Sequence, residues 1–199
     1  MNTANTMTPS EAEAKEDHGK RQAAAQAASL VNMTCALTCD YDRLQELRDE
    51  REALTEAVTE ADDIHTAEQN AASLDALQEA QDILGQWDDS NADELHTLEA
   101  EAGDCEDQDQ ARARIQEDPL SVEVRSGWDV VGGDLSASEF RIVLCTGGPH
   151  VEIRGELDQY QQPCRAWMQY QDWGTPMTQY FDVSQSTLLA YCQEFYFGE

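Results

Sequence analysis

SVEVRSGW (residues 121–128), EFRIVLC (139–145), HVEIRGELD (150–158) and CRAWMQYQDW (164–173) alternate apolar with polar residues almost without a lapse. A period of two places every second side chain on one face of a pleated strand. Turn-forming residues separate the runs: Gly132 and Gly133, Thr146 to Pro149, and Asp158 to Pro163,. The pattern predicts an antiparallel meander of four strands, or five if MTQYF (177–181) also pairs. Ser184 or Ser186 can cap a terminal helix whose Leu188, Leu189, Cys192 and Phe195 cover one face,. A sheet this small needs that cover to be stable.

Upstream of the strands the period changes to that of helices. Leu44, Leu47, Leu54, Val58 and Ala61 fall at 3, 7, 4 and 3 spacing, a coiled-coil stripe with Arg51 in the seam and Thr38 or Asp40 as its cap,. After a weaker stretch from His65 to Ala72, Ser73 precedes a second stripe of Leu74, Leu77, Ile83, Leu84 and Trp87, which Asp88 to Asn91 should break. Asn91 with Glu94 reads as a capping-box start for a third helix ending at Gly103,. A short helix from Asp109 to Glu117 must stop before Pro119,. Residues 21–37, RQAAAQAASLVNMTCAL, have high helix propensity and suit a short docking helix,. The polar residues 1–20 read as a disordered tail. The expected organisation is therefore α+β: a tail at 1–20, an acidic helical hairpin or coiled-coil region at 21–118, and a sheet with a C-terminal helix at 119–199.

Charge is distributed as unevenly as period. The 199 residues carry 41 acidic and 12 basic side chains, and from Glu52 to Ala111 there are nineteen Asp or Glu and no Lys or Arg. Such a helix forgoes the i,i+4 pairs of opposite sign that ordinarily support solvated helices. At this net charge free nucleic acid and anionic lipid are poor partners, because phosphate binding requires Lys or Arg. A basic protein surface is the natural counterpart. A salt-adapted composition, acidic with two Lys against ten Arg, would account for the acidity without any partner. No stretch approaches the roughly 20 apolar residues of a membrane span, and no signal-peptide core opens the chain. A cytoplasmic protein is expected, with Cys35, Cys39, Cys105, Cys145, Cys164 and Cys192 as reduced thiols, the last three packed as small hydrophobes,.

Catalytic and metal readings are weak. The Asp104 and Asp107 registers of an EF-hand put Asp109 or Arg112 where the loop needs glycine, and Cys35 with Cys39 lack a second ligand pair for zinc,. No metal or cofactor is expected. Cys145 and His150 flank the TGGP turn and could form a nucleophile and base, but the same residues are what a tight hairpin requires,. His18, His65 and His96 read as solvated surface. Trp128, Tyr160, Trp167, Tyr170, Trp173, Tyr180 and Phe181 read mostly as packing, since a base-stacking platform comes with more basic residues than Arg125, Arg141, Arg154 and Arg165,.

IQEDPLSVEVRSGWDVV (115–131), RIVLCTGGPHVEIRGELD (141–158), YQDWGTP (170–176) and LLAYCQEFYFGE (188–199) together resemble a recurrent family of uncharacterised bacteriophage and prophage proteins in which a variable acidic helical region precedes this module. No catalytic residue is carried over from it. The resemblance implies a bacterial host cytoplasm and an accessory role against host defence or transcription. The insert DVVGGDLSASEF (129–140) is shorter and less Pro-rich than the family's pattern.

Within that setting the acidic helices carry the expected function. Glu52, Glu56, Glu60 and Asp63, then Asp75, Glu79 and Asp82, set carboxylates in rows at helical spacing, and Asp88, Asp89, Glu94, Glu99 and Glu101 continue them,. Two offset rows approximate the phosphates of a duplex backbone. The expectation is a non-enzymatic inhibitor of the anti-CRISPR or anti-restriction type that mimics DNA on the basic surface of a host nucleic-acid-binding complex. The alternative is a homo-oligomeric structural or adaptor protein of a phage, with the helices pairing between two copies.

Overall fold

A computed structural model describes residues 9–128, 130–131 and 136–198. The chain divides into two compact units, one of Met1–Leu37 with Asp109–Glu199, the other of Thr38–Gln108.

The first unit contains the sheet. Strands β1 (Ser121–Ser126), β2 (Ala137–Cys145), β3 (His150–Leu157), β4 (Pro163–Gln171) and β5 (Thr178–Tyr180) pair antiparallel in chain order. The α+β class is thus as the alternation predicts, with the fifth strand present. Phe140, Ile142, Leu144, Val151, Ile153, Ala166, Met168 and Tyr170 share one buried face. Helix α5 (Gln185–Cys192), capped by the Ser184 hydroxyl accepting from the Thr187 amide, adds Leu188, Tyr191 and Cys192 to that core. The Tyr191 hydroxyl, deep in the core, donates to Asp118 at 2.7 Å.

Helix α1 (Pro9–Thr38) corrects the reading of the N-terminus. Residues 9–20 are helical, not a disordered tail, and the helix belongs with the sheet instead of an acidic region running from 21 to 118. Ala23, Ala27, Leu30, Met33 and Leu37 form the stripe that packs into the sheet core, and Gly19 lies where an added Cβ would sit 3.0 Å from the Tyr170 ring. Docking of this apolar stripe stabilises a helix whose polar start has no period of its own. Residues 1–8 and the turn at Gly132 and Gly133 lie outside the described residues.

Gly155 on β3 is closely packed. A Cβ there would fall inside the van der Waals envelopes of the Arg165 carbonyl oxygen and the Phe140 ring. Overpacking at such a site destabilises because neither a central strand nor a buried ring can retreat far. Gly155→Ala is expected to cost about 2–3 kcal/mol, read as a lowered urea midpoint with an unchanged m-value.

The second unit is a helical hairpin of α2 (Tyr41–Glu68) and α3 (Ala71–Ala102). The Asp40 carboxylate accepts from the Arg43 amide to start α2, and Gln69 ends it in the left-handed conformation,. Asn70 caps α3 by accepting from the Ser73 amide, while the Ser73 hydroxyl meets His65 Nδ1 at 3.0 Å across the turn. The helices therefore pair within one chain. Leu44, Leu47, Leu95 and Ala102 form the core with Trp87 and Leu98 against it.

Asp88 to Asn91 do not break α3. Ser90 and Asn91 donate to the carbonyls of Gln86 and Trp87 one turn back, Trp87 Nε1 donates to Glu50 at 2.9 Å, and Asp88 accepts from Arg51 at 3.0 Å. Asp88 is thus tied to α2, while Ser90 and Asn91 bond back within α3 instead of capping a new helix,. Gly103 caps α3 as expected, its N–H donating to the Glu99 carbonyl. Helix α4 (Gln108–Glu117) stops before Pro119.

Candidate functional site

The hairpin holds 23 acidic and 3 basic residues between Thr38 and Gln108. Its three arginines all reach across from α2 to carboxylates of α3. Arg43 donates through Nε and Nη2 to both oxygens of Glu94, at 3.1 and 3.0 Å, and this pairing holds the Glu94 carboxyl below the usual range. Arg51 meets Asp88 at 3.0 Å, and Arg48 meets Glu99 at 3.5 Å. Of the twelve carboxylates expected to face a partner, Asp88, Glu94 and Glu99 are thus engaged within the hairpin, and Glu101 is half-buried beside Cys39.

The other eight are exposed. Glu52, Glu56, Glu60 and Asp63 line one open groove of about 720 Å³, together with Arg48, Arg51, Thr55, Thr59, Leu95 and Glu99. The row spans roughly 16 Å at the helical rise. None of its four carboxylates enters an ion pair among the described residues. Asp75, Glu79 and Asp82 form a shorter exposed row on α3, and Asp89 is exposed near its middle. At about 6 Å per charge, one row has roughly half the linear charge density of one DNA strand.

The sheet carries a second concavity that the sequence reading missed. On the face away from the core, Glu152 is only 1% exposed, and it accepts from His150 Nε2 at 2.9 Å, Arg154 Nε at 2.6 Å and Gln169 Nε2 at 2.5 Å. Burial pushes its pKa up, but these donors outweigh it and hold the carboxyl below the usual range. Arg141 bridges Glu123 on β1 towards this cluster. The adjoining pocket, about 480 Å³, is walled by Thr146, Gly147, Gly148, Trp173 and Met177. Trp173 Nε1 donates to the Gly147 carbonyl at 2.6 Å, and a Cβ at Gly148 would overlap the indole. The TGGP turn and the QDWGT loop thereby interlock. His18 adds a further tie, its Nδ1 lying 3.0 Å from Asp172. The alternation of Glu152 and Arg154 was visible in HVEIRGELD, but which neighbours enclose Glu152 depends on the strand register.

The Cys145 and His150 pairing does not form. Cys145 packs against the core cluster, while His150 turns to Glu152 on the opposite face. Burial also raises the Cys145 thiol pKa, the reverse of nucleophile activation,. Of the thiols expected in the core, Cys192 is buried, Cys145 half-buried and Cys164 exposed. Among the seven aromatic residues read mostly as packing, only Tyr170 and Tyr180 are buried, whereas Trp128, Tyr160, Trp173 and Phe181 are exposed. Among the described residues no three His, Cys, Asp or Glu side chains converge as a metal site, and no helix is long and apolar enough to cross a membrane.

The class these observations define is an α+β protein that pairs a one-sided sheet with a carboxylate-lined helical hairpin. Neither protein families nor curated proteins nor solved structures yield a match to the chain.

Proposed function

We propose that this is a binding protein whose hairpin occupies the nucleic-acid groove of a cationic host protein, as an inhibitor of a bacterial defence complex of the CRISPR or restriction type acting by DNA mimicry. The observation that carries the reading is the exposed row Glu52, Glu56, Glu60 and Asp63, held on a capped hairpin and lining one groove. Preorganised charge of this kind contributes association rate and selectivity for a complementary surface. Arg43, Arg48 and Arg51 spend their charge inside the hairpin, where they pin α2 to α3. Arg48 and Arg51 also line the groove, where Glu99 and Asp88 offset their charge, so the four unpaired carboxylates leave its net charge negative. A phage or prophage accessory protein in a bacterial cytoplasm is the setting in which such a surface has a use.

Affinity capture from lysate of a defence-proficient bacterial host, followed by mass spectrometry, tests the proposal. The expected prey is a nuclease or surveillance complex that elutes as salt rises from about 50 to 500 mM, because screening shortens the reach of exposed charges from roughly 14 Å to about 4 Å. Recovery of only phage structural proteins, retained at high salt, would overturn it.

A further inference from the structure

Strand β1 stands at one end of the sheet order, so its outer edge has no strand neighbour among the described residues. Val122 and Val124 lie opposite Ile142 and Phe140 and thus on the core face, yet they remain 38% and 50% exposed, and Leu120 before them is 62% exposed. The helices that cover the sheet core do not extend over this strand. Its other face carries Glu123 and Arg125, paired in turn with Arg141 and Glu139 of β2. The register irregularity beside Arg125 skips Ser138, so the extra residue is in β2 and β1 itself stays regular.

We propose that β1 pairs antiparallel with β1 of a second copy of this chain, about a twofold axis through Val124. This register sets Glu123 opposite Arg125 of the second copy and Arg125 opposite its Glu123, while Val122 and Val124 of both copies merge into one apolar strip. Opposed residues in an antiparallel pair must share a sheet face, so the axis has to pass through a residue. Moving it one position sets Glu123 against Glu123 or Arg125 against Arg125, which is destabilising. Across the junction the charges then run Arg141, Glu123, Arg125 and Glu139, the last two from the second copy. An isologous contact of this kind is self-complementary and closed. It also removes an exposed edge that carries neither proline nor a bulge of its own. The pairing concerns the sheet unit alone and holds whether or not the hairpin binds a cationic groove.

Sedimentation equilibrium of the full chain at micromolar to submillimolar concentration tests this, with circular dichroism to verify folding. The wild type is expected to dimerise. In R125E/E139R the pair within the chain survives with its sign reversed, but both pairs between copies become Glu against Glu, and the dimer Kd should rise at least about tenfold. In a Cys164→Ser background, Val124→Cys places two thiols across the axis at about 4.5–5.5 Å between Cα atoms, within disulfide reach. Val122→Cys leaves its own copies roughly 13 Å apart. Oxidative cross-linking of the first and not the second is the expected result. A monomer throughout, a dimer indifferent to R125E/E139R, or equal cross-linking at both positions would each overturn the pairing.

Discussion

Reversing Glu52, Glu56, Glu60 and Asp63 to lysine is expected to abolish capture of the cationic partner, with at least a hundredfold loss of affinity. Like charges brought together across an interface cost several kcal/mol, and each 1.4 kcal/mol is a factor of ten. The hairpin itself should tolerate the change, because a row of lysines at i,i+4 spacing repels itself about as much as a row of glutamates, and the new like-charge neighbour of Arg48 at position 52 costs only about 0.2–0.5 kcal/mol. All four side chains are exposed, and none forms an ion pair with the hairpin's own arginines. Lost binding with an unchanged helical spectrum and melting temperature therefore reports on the surface. The matching reversal of Asp75, Glu79 and Asp82 separates the two rows. If capture persists in both reversals, the carboxylates serve solubility and the contact lies elsewhere.

Glu152→Leu is expected to lower stability by about 2 kcal/mol at neutral pH. Removing one partner of a buried ion pair costs about 3–5 kcal/mol when the other charge stays buried. Here Arg154 and Arg141 are 39% and 41% exposed and can turn towards water, so part of that cost is recovered. The loss depends on pH in a definite direction. Because the folded-state pKa of Glu152 lies below its ordinary value, its contribution is fully present above about pH 4.3 and disappears as pH falls through the folded value,. Denaturation midpoints of the wild type and the variant should differ at pH 7 and converge as pH falls below the ordinary glutamate range and through the folded value,. A constant difference over that range would show that the glutamate acts through shape alone. Glu152→Gln, which keeps an acceptor for Arg154 and Gln169, should fall between the two.

The fold was legible wherever one period persisted. Alternation from Ser121 to Trp173 dictated strands, and the stripe of Leu44, Leu47, Leu54, Val58 and Ala61 dictated α2, whereas the single helix α3 reads in the sequence as two. Caps at Asp40, Gly103 and Ser184 were readable because each pairs a particular side chain or conformation with an orphaned backbone group,. What escaped the sequence was decided by contacts distant along the chain. Residues 9–20 have no period, and the helix they begin is stabilised by the docking of Ala23, Ala27, Leu30 and Met33 on a sheet more than a hundred residues later. Asp88 to Asn91 look like a break until Arg51 and Glu50 of the neighbouring helix hold the helix through them. Composition alone placed the negative charge, since carboxylates at helical spacing on an otherwise polar surface have nowhere to go but solvent. Only the tertiary structure could say that Glu94, Asp88 and Glu99 turn inward to the hairpin's arginines while Glu52, Glu56, Glu60 and Asp63 stay free. It alone could bury Glu152 among four polar neighbours, because a charge pairs with whatever the register sets beside it, and register between strands is a property of the assembled sheet.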